Sequence, residues 1–421
     1  MRCISYVGRD RKREARFCRD DQCVITDLVQ EAVWHFWHPD ELILCISDPE
    51  NAYIASECET RGIIVRKIWI PEGSREDDLW EIFTLVSSVI DQGEELLFEI
   101  TGGDPVLPFI TTLIVTYLIE VKQVRVIGVI YSPPPDEFGM RHFVDLKPVM
   151  DVIDWIHGIT ALTSFTDAGS ICRLLTGLQG KMHRKNTEPN PPIHLIGWSH
   201  LLKTFTSAVR LNRPVDALYA GWGISRDLPA VRGELERFAP ALTPIMNDME
   251  SIAKMAALPQ NDHLSDSYLM MQHHLIRYQI DKGLEVQAAS LSHEWLISCT
   301  MLFFGIGGRW LDPDDRHMVS RTLTGVALTI QGIPSENTQY THLFLENEHW
   351  IEMIKIWEQV SDLRNDIAHC GMNQRDESLK SLLKRTRELP NNLLAFARYA
   401  GIGEQPRTIN QKEDNDLFSS D

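Results

Sequence analysis

The sequence predicts a mostly parallel α/β sheet over its first 150 residues and an all-α remainder. Three observations carry this. Short β-rich runs alternate with helical periodicities in the N-terminal third, strand signals fade from about residue 151, and apolar residues beyond 192 recur mainly at three- and four-residue intervals. Repeated β-α-β order places helices on both faces of a parallel sheet.

Each element has a local reason. "RCISYVG" (2–8) is a short β-rich run ending in Gly8, and "TDLVQEAVWHFW" (26–37) has helical periodicity with Thr26 as an N-cap. "ELILCIS" (41–47) reads as a strand and "NAYIASECETRG" (51–62) as a helix closed by Gly62. "IIVRKIWI" (63–70) is a strand stopped by Pro71, "DLWEIFTLVSSVI" (78–90) a helix, and "ELLFEIT" (95–101) a strand running into a Gly-Gly turn. A helix over 107–121 follows, then the strand "QVRVIGVIY" (123–131), ended by Pro133, Pro134 and Pro135, then an edge strand within 140–148. "VIDWIHGITALTSF" (152–165) reads as a helix leaving the sheet, and "KMHRKNTEPNPP" (181–192) as a loop or linker. Amphipathic helices are expected at 198–211, 229–238, 243–257, 267–282, 284–304, 315–330, 348–369 and 377–399. The expected division is 1–150, 151–270, 271–405 and a polar tail from 406 to 421. No internal repeat is visible.

Bulk properties bound the function. The 421 residues are too many for one ordinary domain, and 43% hydrophobic with 24% charged content describes a globular chain. A formal charge of −18 repels phosphate chains on average, so a nucleic-acid site has to be a local basic cleft. Eight cysteines without a CxxC pair do not form a disulfide framework over this length, which points to a reducing cytoplasm. The start lacks the order of a signal peptide, and the apolar window 107–121 is too short and Thr-rich to span a membrane.

In doubly wound sheets, ligands collect at the carboxyl ends of the strands. Two loops are expected there: Gly8-Arg9-Asp10 after the first strand, and Gly102-Gly103-Asp104 after Thr101. Glycines permit close backbone approach, although neither GxxxxGK[ST] nor GxGxxG is present, and a tight βα turn is an equal reading. The basic run Arg9, Arg11, Lys12, Arg13, Arg16 and Arg19 is either a solvated hairpin or a phosphate-contacting lid over the sheet's mouth. "FFGIGGRW" (303–310) reads as a helix stop. The histidines show no metal-ligand spacing, and no GxSxG supports a serine hydrolase.

"RNDIAHCG", Arg364 to Gly371, closes a helix whose apolar stripe runs through Trp350, Ile354, Trp357, Val360, Leu363 and Ile367. Histidine is the commonest general acid or base, so His369 is suited to moving protons, Arg364 grips phosphate oxygens in a fork, and Asn365 can hold backbone. Such a pair suits metal-independent RNA cleavage by attack of the 2′-hydroxyl. Five residues along a straight helix turn by roughly 140°. Aiming both groups at one phosphate therefore needs a bend near Gly371 or a twofold axis. The bland alternative is a helix C-terminus with His369 set against the dipole.

"RNDIAH" resembles the R-x4-6-H motif of HEPN ribonucleases. "DKGLEVQAASLSHEWLIS" (281–298) resembles an early helix of the CARF–HEPN effector ribonucleases of type III CRISPR systems. The resemblance implies a Rossmann-like CARF domain, an all-α HEPN domain, and a homodimer or higher even-numbered oligomer. It implies activation by cyclic oligoadenylate, with cyclic tetraadenylate as the expected ring, and cleavage of single-stranded RNA without a metal or other cofactor. Arg364, His369 and Asn365 become the catalytic set; Gly8, Arg9, Thr101, Gly102, Gly103 and Asp104 become ligand contacts. No membrane or DNA partner is expected. The turn reads Thr-Gly-Gly-Asp where relatives carry a Thr-His-Gly type sequence, so self-cleavage of the ligand stays open. The rivals are a nucleotide sensor or scaffold without nuclease activity, a ring nuclease acting on the messenger, and a transcription regulator. The last has no basic recognition helix to support it.

Overall fold

The computed structural model describes residues 1–8, 14–185, 189–243, 246, 249–250, 252, 255, 263–370, 372 and 378–403. The chain divides into two units, Met1–Ile153 and Asp154–Asp421. The first is α/β with a mostly parallel sheet, and the second is helical.

The main sheet has six strands in the order β5-β4-β1-β6-β7-β9. They are β1 (Arg2–Val7), β4 (Glu41–Ile46), β5 (Val65–Trp69), β6 (Glu95–Glu99), β7 (Arg125–Tyr131) and β9 (Val144–Asp145). All pairings are parallel except β7 with β9. Both faces are apolar in period-two alternation. Ile4, Tyr6, Ile43, Cys45, Leu96 and Phe98 pack on α3 (Glu76–Ser88) and α4 (Leu107–Lys122). Cys3, Val7, Leu42, Leu44, Ile46 and Leu97 pack on α1 (Val29–Trp37) and α2 (Tyr53–Thr60). Gly62 takes φ +80° after α2, as a helix-closing glycine does. The core helix α4 buries Ile110, Ile114 and Leu118 yet leaves Phe109 and Leu113 exposed, so it is one-sided and not wholly internal.

Several expectations need correction. Thr26 is not the α1 N-cap; it ends strand β3, and its hydroxyl accepts the Leu28 N–H at 3.1 Å. Of the two readings of the charge run, the hairpin is found for its described end: β2 (Ala15–Arg19) pairs with β3 (Gln22–Thr26), turned at Asp20 with φ +52°. Residues 9–13 lie outside the described residues. Arg19 is no phosphate contact: it donates to the Phe36 carbonyl at 2.8 Å and lies 4.3 Å over the Trp37 ring. Opposite register positions put Cys18 and Cys23 in a disulfide, where the sequence reading expected free thiols. The single edge strand expected at 140–148 is split. β8 (Met140–His142) joins the hairpin's three-stranded sheet, and β9 joins the main one.

The second unit has one hydrophobic cluster running from Leu162 to Ile402. Into it pack the end of α5 (Lys147–Phe165), then α6 (Gly169–Lys185), α7 (Leu195–Arg210) and α8 (Pro214–Phe238). They are followed by α9 (Asp266–Asp281), α10 (Glu285–Phe303), α11 (Pro313–Ile330), α12 (Thr341–Leu345), α13 (Trp350–Ala368) and α14 (Leu379–Tyr399). The sequence reading missed α6, taking its end for linker. It also began α8 at Pro229, which the helix in fact runs through. The expected helix 243–257 falls largely outside the described residues. α10 is buried on nearly every side and packs against α9, α11, α13 and α14, which makes it the unit's axis. No helix among the described residues is long and apolar enough to cross a membrane.

Trp295 on α10 is fully buried, and its indole N–H donates to the Leu269 carbonyl at 2.8 Å. Trp295→Ala removes both the volume and the partner of that carbonyl, at a cost of about 3–5 kcal/mol. Urea unfolding followed by circular dichroism should show the helical unit's transition at lower denaturant, with the sheet unit's transition unmoved, since their cores share no residue.

Candidate functional site

β1 leads on one side to β4 and on the other lies beside β6, so the strand order reverses between β1 and β6. The loops after these two strands open the crevice that such a reversal creates. The expected meeting of Gly8 with Gly102-Gly103 is present as backbone on backbone. A Cβ built on Gly8 lies 2.2 Å from the Gly103 nitrogen, and one on Gly102 lies 2.5 Å from the Tyr6 carbonyl oxygen. Gly103 sits at φ +94°, a conformation other residues rarely adopt. No side chain fits between these loops.

What holds them is a polar chain that the sequence reading missed. Ser5 on β1 and Glu99 on β6 are register partners. Glu99 is 0% exposed; it accepts the Ser5 hydroxyl at 2.6 Å and the Thr101 N–H at 2.6 Å. Ser5 in turn accepts an N–H from Gln30 on α1 at 3.1 Å. Burial pushes the Glu99 carboxyl above the usual carboxylate range, while Ser5, Thr101 and the Arg141 charge pull it back. The signal was present: "FEIT" sets a charged residue inside an apolar strand immediately before the turn, and Gln30 sits among the buried positions of α1.

Thr101 is a structural joint. Besides donating its N–H to Glu99, it accepts the Ser132 N–H on its hydroxyl at 2.9 Å. Asp104 lies in the turn before α4, its carbonyl accepting the Leu107 N–H at 3.0 Å. Arg9 lies outside the described residues. The crevice is a pocket of about 280 Å³ whose lining includes Gly8, Gly102, Phe17, Leu28, Gln30 and Arg141. Arg141 is held by the Ser132 and Pro133 carbonyls at 2.9 and 3.1 Å. Its guanidinium is the cation of that lining, which also carries the carboxyl groups of Glu14 and Asp27.

In the helical unit, α13 presents the expected stripe: Ile354, Trp357, Val360 and Leu363 are buried, with Trp350 and Ile367 packed at its edge. Arg364 is half-buried, and its Nη1 donates to the Asn365 side-chain carbonyl at 3.0 Å. Asn365 thus engages the arginine and not the backbone. His369 is the exposed C-cap, its backbone N–H on the Asn365 carbonyl at 2.9 Å. Cys370 takes φ +56°; Gly371 lies outside the described residues. Neither a hydrogen bond nor an ion pair joins Arg364 to His369 among the described residues. Asp366, unremarked in the sequence, is buried and faces Arg385 of α14 at 3.5 Å, while Arg385 also donates to the Gln359 carbonyl at 3.1 Å. This ties the end of α13 to its neighbour. Asn365 also borders a polar groove lined by His293, Thr324, Trp357, Asp362 and Arg385. No group of three or more His, Cys, Asp or Glu side chains among the described residues is placed to hold a metal ion.

Two predictions follow from the crevice. Gly8→Ala forces its Cβ into the Gly103 backbone, which cannot yield as a side chain can, so a loss of roughly 1–3 kcal/mol is expected in urea unfolding of the sheet unit. The second concerns pH. Because the folded Glu99 carboxyl holds its proton more tightly than the unfolded one, stability is lost as pH rises from about 4.3, the ordinary glutamate value, to the raised folded value. Glu99→Gln removes this dependence. The urea midpoint of the wild type should fall relative to that of the variant across the window, and a constant gap would contradict the assignment.

No known family model matches the chain. Over 111 residues, 25% of its length, it is 28% identical to the CRISPR-associated protein MJ1674 of Methanocaldococcus jannaschii. The matched stretch spans 18% of that protein, so the similarity joins a part of one chain to a smaller part of another.

Proposed function

We propose that this chain is a CRISPR-associated, ligand-controlled endoribonuclease. The sheet unit takes cyclic oligoadenylate, and the helical unit cuts single-stranded RNA without a metal. The observation that carries the reading is the crevice at the strand-order reversal, where two glycine loops meet beside a fixed guanidinium. Geometry of that kind suits the close approach of a nucleotide's phosphate and base. The partial similarity to a CRISPR-associated protein supports the setting.

In the helical unit, the chemistry assigns His369 to proton transfer and Arg364 to the charge that builds on the scissile phosphate as the 2′-hydroxyl attacks. His369 is solvent-facing at the helix end, as a proton-transferring group must be to reach RNA. Since five residues on a helix set the two groups roughly 140° apart, a twofold pair of chains supplies the second cation to each site. Ligand that favours one arrangement of the pair then biases cleavage.

A second reading has its own support. Arg364 is engaged by Asn365 and not by His369, which suits a nucleotide sensor whose helical unit only docks a partner.

An assay of fluorogenic single-stranded RNA with a panel of cyclic oligoadenylates separates the two. The wild type should cut RNA only with ligand. His369→Ala should lose cleavage by a factor of 10² or more while keeping its ligand affinity, about the share a general acid–base contributes. Full cleavage by that variant rules out the catalytic assignment. Ligand binding by the wild type without any cleavage favours the sensor.

A further inference from the structure

The crevice contains a buried side chain with unused hydrogen-bonding capacity. Gln30 is only 4% exposed, yet it lines the pocket. One N–H of its amide goes to Ser5. Its carbonyl oxygen and second N–H have no partner among the described residues.

The amide's orientation follows from its neighbours. Ser5 gives its hydroxyl hydrogen to Glu99, so it turns a lone pair to Gln30 and is met by N–H and not by C=O. The part of the amide left over is therefore one donor beside one acceptor. Phe17, Leu28, Val29 and Ile54 supply apolar wall to the pocket, and Glu14, Asp27 and Arg141 share its lining. At about 280 Å³ the pocket lies at the small end of ligand sites, which begin at roughly 300 Å³. It suits one nucleobase and not a whole ring of nucleotides.

We propose that Gln30 is the specificity-determining residue of this crevice, its amide reading the donor–acceptor edge of a single adenine base. Adenine carries an amino donor on C6 beside a ring-nitrogen acceptor, the pattern that glutamine matches with two bonds. Hypoxanthine and guanine replace that amino group with a carbonyl and oppose acceptor to acceptor. Cytosine shares the pattern on a smaller ring. Ser5 and Glu99 are positioning residues that act through Gln30. The inference rests on the nucleotide-sensing reading of the sheet unit and deepens it by naming what selects the base.

The test measures binding of cyclic tetraadenylate, its all-inosine analogue, AMP, IMP and CMP to the full chain. The wild type should prefer adenine over hypoxanthine by on the order of tenfold or more, the worth of a good bidentate contact. Gln30→Leu should bring the two within about twofold. Gln30→Met, closer in length to glutamine, gives the same readout if the leucine variant unfolds. An unchanged preference in the folded variant overturns the Gln30 assignment and leaves the cyclic-oligoadenylate reading standing. Tighter binding of CMP than AMP overturns the adenine choice. A Gln30-dependent preference for AMP without binding of the ring sustains Gln30 and overturns the cyclic ligand. Binding of none of the five overturns both.

Discussion

The crevice depends on one interaction, the pairing of Ser5 and Glu99 across β1 and β6. A fully buried carboxyl group is costly unless every part of it is bonded. Here one oxygen takes the Ser5 hydroxyl and the other takes the Thr101 N–H. The second bond acts on the loop itself, since Thr101 is the residue before Gly102. A polar group is thus spent on fixing where the strand ends, and the glycine backbone is delivered against Gly8 with no room for a side chain. A hydrocarbon at position 99 would pack the same face without constraining the turn.

The same network reaches the cation. Thr101 accepts the Ser132 N–H, and Ser132 and Pro133 offer their carbonyls to Arg141. From Gln30 through Ser5, Glu99, Thr101 and Ser132 to Arg141, one continuous run of hydrogen bonds borders the crevice. Its ends are chemically different, a neutral amide at one and a guanidinium at the other, as a base and a phosphate require. This bears on the net charge of −18. The surface as a whole disfavours an anion, but a guanidinium whose N–H groups are partly fixed on carbonyls is already oriented, so little ordering remains for a ligand to impose.

The alternation of strands and helices was legible because the two apolar periods, two and 3.6, differ strongly. The meeting of Gly8 with Gly102-Gly103 was legible because topology dictates it. The hairpin over residues 15–26 was legible only as one of two readings of the basic run. Its strands carry Arg16, Arg19 and Gln22, so charge masked the buried pair Phe17 and Cys18, and with it the Cys18–Cys23 pairing. Nor were Ser5, Glu99 and Gln30 read as a set. They lie 25 to 94 residues apart, and each looks like an isolated polar residue in an apolar element. Thr101 and Asn365 were found by type but not by role, because one sequence does not show which of two available partners a side chain takes.

The helical unit poses the complementary problem. Asp366 inside the Arg364–His369 stretch is buried and lies 3.5 Å from Arg385 of α14, and Cys370 sits at φ +56°. The ion pair joins the end of α13 to its neighbour. A separation of five residues on an ideal helix sets two groups roughly 140° apart. A fixed divergence is no defect if each group serves a different half of a symmetric site. The guanidinium of one copy then stands opposite the imidazole of the other, and neither site can operate in a lone chain. Such an arrangement makes activity depend on how two chains are placed, which is the quantity a ligand bound elsewhere is able to change.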